Sequence, residues 1–188
     1  MVLAASDRRL NSLSKGYALI EVMISLLIVS VGLLGIAKMF ALALGNTQVS
    51  GSRALAAIYT GSLASAMHAN RAYWQQGLAP ASITVVGTTL NDSTLATQTA
   101  NCTYDAKSNP SPQCKPIELA SVDLKSWGQS LLQLPGGYGL VSCSTTSGVP
   151  VNCTITVSWN EKYVGLNTDT LDAAQQKATK TFTALVQP

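Results

Sequence analysis

The chain has 188 residues, with 12 Lys and Arg, 9 Asp and Glu, one His and four Cys. Only 11% of it is charged and the net charge is +3, so it lacks the dense basic patch that marks a nucleic-acid binder. A single His excludes a His-rich metal site, and the length suits one domain of ordinary size with a tail or anchor.

The first 16 residues, MVLAASDRRLNSLSKG, carry Arg8, Arg9 and Lys15 against Asp7. Positive charge ahead of an apolar helix holds that end in the cytoplasm. From Tyr17 to Leu44, 22 of 28 residues are apolar, and only Glu21 and Lys38 are charged. With Tyr17 to Ile20 added, the uncharged run Val22 to Ala37 approaches the roughly 20 residues that a helix needs to cross a bilayer. A cleaved secretory signal is the plain alternative, but the run is long and no A-x-A-like site closes it. A simple signal anchor stays open. Glu21 lies inside this segment, where a carboxylate costs roughly 2.5–3.5 kcal/mol at a bilayer centre, so it is a functional candidate. The plainer account places it at the interface, against headgroups or water.

Gly16-Tyr17-Ala18-Leu19-Ile20-Glu21-Val22, followed by MISLLIVSVGLLG, resembles the type IV prepilin signal. That family has a basic leader, a Gly before the scissile bond, an aromatic residue after it and a Glu four residues on. The resemblance implies that a prepilin peptidase in the inner membrane cuts between Gly16 and Tyr17. It also implies N-methylation of Tyr17 and export of residues 17–188. The new amine and Glu21 are opposite charges whose pairing would offset their desolvation when helices bundle. The usual first residue after the cut is Phe, replaced here by Tyr17, and the next is often Thr, replaced by Ala18. Major pilins commonly carry a helix-breaking Pro in this helix, and none occurs before Pro80.

Leu55, Tyr59, Leu63, Ala66 and Tyr73 continue at roughly helical spacing. They predict one helix from about Tyr17 to Gln76, roughly 90 Å long at 1.5 Å per residue. The stretch SLASAMHANRAYW resembles the PilV-type minor pilins, in which a small-residue helix ends in a similar Met-x-Ala-Asn pattern. His68 reads as a surface or groove-lining helix residue, with no second His nearby to share a metal. The expected domains are a cleaved leader at 1–16, an apolar stalk helix at 17–52 and a periplasmic head at 53–188.

Beyond Pro80, Ile83 to Val86 reads as a short strand, and residues 87–116 as a long loop rich in Thr, Ser, Asn and Pro. Leu124, Trp127, Leu131 and Leu132 share one side of a second helix near 121–132, capped by Ser121 or Asp123. LPGGYG at 134–139 is a turn, lacking the Lys-Ser/Thr ending of a phosphate loop. Leu140 to Cys143, Val151 to Trp159 and Thr179 to Val186 alternate like half-buried strands. The expected class is α+β: a long N-terminal helix, half membrane-spanning and half packed on the head, across a small antiparallel sheet, pilin-like.

Cys102, Cys114, Cys143 and Cys153 allow three disulfide pairings. The favoured pairs are Cys102–Cys114, bracketing a loop, and Cys143–Cys153, bracketing a hairpin connection. A Cys₄ zinc site is the rival, but no C-x₂₋₄-C unit occurs. The triplets at Asn91, Asn101 and Asn152 are chance-level glycosylation patterns. Asn167, Asp169 and Asp172 lack the spacing of a calcium loop.

No catalytic signature, metal or cofactor loop is evident, so the expected role is structural. The resemblance implies a minor pilin of the inner membrane that primes type IV pilus assembly. Its implied partners are the prepilin peptidase, other minor pilins, the major pilin and a PilY-type adhesin at the tip. Rivals are a type II secretion pseudopilin and a signal-anchored periplasmic binding module.

Overall fold

The computed structural model describes residues 18–99, 102, 114–144, 149–162 and 177–188. The chain divides into two units, one running to Ala43 and one from Leu44 to Pro188. Helix α1, Leu19–Ala69, contributes to both.

Within the first unit, α1 is apolar on all faces, and Leu19, Leu27, Ile28, Leu34 and Met39 are all more than 60% exposed. Its two serines turn their hydroxyls onto their own helix. Ser25 Oγ donates to the Glu21 carbonyl (2.7 Å) and Ser30 Oγ to the Leu27 carbonyl (2.9 Å). Both polar groups are thereby satisfied without an outside partner, as an apolar surrounding requires. The helix is long and apolar enough to cross a membrane.

In the second unit, Ala56, Thr60, Leu63 and Met67 are the buried residues of α1. Their steps of four, three and four residues trace one helix face. The helix stops sooner than the spacing predicts. Asn70 leaves helical geometry (φ −112°, ψ 54°), and a separate turn, α2, follows at Arg71–Trp74. The cause is tertiary. Asn70 is 4% exposed, and its Nδ2 donates to the carbonyl of Pro116 at 2.7 Å. Next to it, Tyr73 and Trp74 are buried edge to face, with ring centroids 5.1 Å apart. Burial, helped by the charge of Asp92, pushes the Tyr73 phenol up to about 12.

The sheet comprises β1 (Ser82–Val86), β2 (Thr89–Leu90), β3 (Tyr138–Cys143), β4 (Cys153–Lys162) and β5 (Lys177–Val186). The order is β2-β1-β3-β4-β5, and every neighbouring pair is antiparallel. Rows of side chains cross it in register. Ile83, Val141, Ile155 and Ala184 form one row, and Val85, Gly139, Val157 and Phe182 the next. Ile83, Val85, Val141, Ile155 and Val157 of these rows join the buried residues of α1 in a single core, whereas Phe182 on β5 is exposed. The α+β class, a long N-terminal helix with an antiparallel sheet, is as the sequence predicts.

Three expectations change in detail. The stretch read as an unbroken loop over 87–116 holds β2 and a short helix, α3 (Ser93–Ala96), started by Asp92, which accepts from the Leu95 N–H at 2.8 Å. The second helix, α4, spans Pro116–Leu131 and so begins five residues before Ser121. Pro116 occupies its first turn, where a missing N–H costs nothing, and Glu118 accepts from the Lys115 N–H at 2.8 Å. Ser121 does not cap it. That residue is fully buried, and its hydroxyl donates to the Leu95 carbonyl (2.7 Å). Strands β3 and β5 start two residues earlier than the alternation predicts, and β4 runs three residues past Trp159.

Two glycines let α4 approach the sheet. A Cβ on Gly139 would enter the Trp127 ring, and one on Gly128 would meet the Gly87 carbonyl and Val85. Trp127 lies over β3 because that position of the sheet has no side chain.

Candidate functional site

The residue singled out by its cost in an apolar setting is Glu21. It stands in the first turn of α1, and its N–H donates to the Ala18 carbonyl at 2.9 Å. A carboxylate at this helix end interacts favourably with the helix dipole. The side chain is exposed, and among the described residues it has neither a hydrogen-bond nor an ion-pair partner. It is flanked by Leu19, Ile20, Val22 and Met23, all exposed. Burying an ionised carboxylate on such an apolar surface costs free energy unless a positive charge pairs with it or the carboxyl takes up a proton. Gly16 and Tyr17, the expected cleavage and methylation positions, lie outside the described residues.

The cysteines form two disulfides, Cys102–Cys114 and Cys143–Cys153. The second joins directly opposed residues of β3 and β4, with Cα atoms 4.0 Å apart. All four sulfurs are thereby oxidised, which leaves no thiolate for zinc. His68 is exposed on α1. Asn91 uses its side-chain oxygen to accept from the Thr84 N–H at 2.7 Å, a structural task. Asn101, Asn167, Asp169 and Asp172 lie outside the described residues.

The structure adds residues that the sequence pattern passed over. Arg53 of α1 makes a two-pronged ion pair with Glu161 at the end of β4, with Nε to Oε1 and Nη2 to Oε2 both at 2.9 Å. Trp159 Nε1 also donates to Glu161 Oε1 (3.1 Å). The Arg53 bonds hold the Glu161 carboxyl below its ordinary range, burial opposes them, and the Trp159 bond assists. Lys125 sends its Nζ to the carbonyls of Ala96 (3.0 Å) and Gln98 (2.7 Å), tying α4 to the end of α3. No local signal finds such pairs. Arg53 falls off the apolar stripe and so resembles any solvated side chain.

Residues 11–37 match the prokaryotic N-terminal methylation motif. This is the type IV prepilin signal, and its span takes in Gly16, Tyr17, Glu21 and most of the apolar run. No match was found among curated proteins or among solved structures. The signal fits a structural subunit of pilin or pseudopilin type, processed by a prepilin peptidase and associated with pilus components. The apolar helix fits anchorage in the inner membrane before assembly.

Proposed function

We propose that the protein is a minor pilin that joins other minor pilins in the complex priming type IV pilus assembly. Residues 1–16 are the leader, 17–52 the stalk and 53–188 the periplasmic head. The peptidase cuts between Gly16 and Tyr17 and methylates the Tyr17 amine. That amine then pairs with Glu21 of a neighbouring stalk. The observation that carries this reading is Glu21, unpaired among the described residues in an apolar segment of α1 within a methylation motif. A PilY-type adhesin at the tip is the large partner the reading implies.

Mass measurement of the mature amino terminus tests it. A methylated Tyr17 start is expected, and an intact Met1 would favour a plain anchor. Deletion of the gene then separates the two filament systems. Loss of surface pili and twitching supports the minor pilin, whereas loss of secreted enzymes with normal pili marks a pseudopilin.

A further inference from the structure

Strand β5 is an edge of the sheet, paired with β4 on one side only. Among the described residues, the N–H and C=O groups along its other side have no partner. The register puts Lys180, Phe182 and Ala184 on the same face as Trp159, Val157 and Ile155. Cover over that face stops at β4, because Val157 is fully buried whereas Phe182 is 37% exposed. A free edge of 10 residues, with no Pro in KATKTFTALV, is a template for another strand.

A pocket of about 300 Å³ lies beside this edge, lined by Arg53, Trp159, Lys180, Thr181 and Phe182. Arg53 is committed to Glu161. Lys180 is exposed, and among the described residues its ammonium has no hydrogen bond or ion pair. Its charge helps to lower the Glu161 carboxyl, but no bond joins the two. Two cations therefore share one carboxylate, next to a partly exposed aromatic ring. A second carboxylate on an apolar stem complements that arrangement.

A lysine within an edge strand ordinarily deters pairing. A strand laid along β5, about 4.8 Å away, sends every second side chain over the face that holds the pocket. An apolar or basic strand would cover the ammonium without pairing it, which is costly. A strand with Asp or Glu at that position pairs it instead, so the lysine discriminates among strands. A second β5 is the wrong partner, since KATKTFTALV carries two lysines and no acid.

We propose that the free edge of β5 takes up an extended acidic segment of another polypeptide as the next strand of the sheet, with an Asp or Glu of that segment seated in the pocket against Lys180 and Phe182. Backbone bonds along the edge supply affinity, and the pocket supplies specificity. Edge and pocket both belong to the second unit, so the inference stands apart from the reading of the chain as a filament subunit.

A random dodecapeptide library displayed on phage tests it, panned on the full chain in lipid nanodiscs after depletion on empty nanodiscs. Enriched peptides are expected to be rich in β-branched residues and to carry Asp or Glu. Hydrogen exchange with such a peptide bound is expected to slow at alternate amides of β5, which separates strand addition from a side chain merely entering the pocket. The same peptide with its acid changed to Gln is expected to bind at least tenfold more weakly, a comparison that leaves the protein intact. Lys180→Gln, with a parent-like melting midpoint, is expected to lose the same factor. Several results would overturn the proposal: no enrichment, neutral or basic peptides, no added protection in β5, or equal binding of the Gln peptide. So would a parent chain that dimerises through β5, or a Lys180→Gln chain that self-associates yet keeps the acidic peptide, since Lys180 would then only guard the edge. None of these outcomes bears on the Tyr17 start, whose mass tests the filament reading by itself.

Discussion

Arg53 reaches Glu161 across 108 positions of sequence, and the pair shows how one residue decides a local outcome. Glu161 is only 7% exposed, whereas the Arg53 side chain is 60% exposed, so the carboxylate bears most of the desolvation. Its folded-state pKa lies below the ordinary 4.5, because Arg53 stabilises the ionised form more than burial disfavours it. The folded state therefore releases this proton more readily than the unfolded state does. The resulting stability is fully present above about pH 4.5 and is lost as pH falls through the lowered value. Arg53→Ala removes the largest cause, so its unfolding midpoint is expected to vary less with pH below 4.5 than the parent's. A denaturation series from pH 6 to pH 2 checks this. An unchanged slope would show that Glu161 is held by other groups. Asn70 acts at the same scale, through one amide that ends a helix by bonding to a carbonyl 46 positions away.

At the scale of elements, the decisive contacts are α4 on the sheet and β3 on β4. Trp127 and Leu131 occupy the space over Gly139, and a methyl group there has no room. Overpacking of this kind costs about 1–3 kcal/mol, and the rigid indole puts Gly139→Ala at or above the upper end. Its urea unfolding midpoint is expected to fall accordingly, and a parent-like midpoint would mean that α4 shifts freely. The Cys143–Cys153 bond closes a short hairpin, with a sequence separation of 10. On the chain-entropy account, such a loop contributes roughly 3 kcal/mol. The double replacement Cys143→Ser with Cys153→Ser is expected to lose about that much, read as a lower denaturation midpoint. Sequence alternation located β1, β3, β4 and β5 to within a few residues, because period-two burial is a local signal. It missed α3 and the true start of α4. Ser121 has the chemistry of a cap, and only its burial against Leu95 shows that the hydroxyl is used elsewhere.

For the molecule as a whole, the central question is what accompanies an apolar helix with one carboxylate. If Glu21 pairs with the methylated Tyr17 amine of a neighbour, Glu21→Ala is expected to be cleaved normally yet reach filaments at least tenfold less often. Immunoblots of membrane and sheared-filament fractions read both quantities. Normal incorporation of the variant would sink the pairing, while failed cleavage would place Glu21 in peptidase recognition instead.

The methylation motif, the apolar run and the position of Glu21 were determined by sequence alone. Each is a contiguous pattern, carried by residues that are neighbours along the chain. The tertiary structure alone decided where α1 stops, which cation holds Glu161, and why Gly139 lacks a side chain. Those features depend on residues far apart in sequence, brought together by packing that no local period encodes.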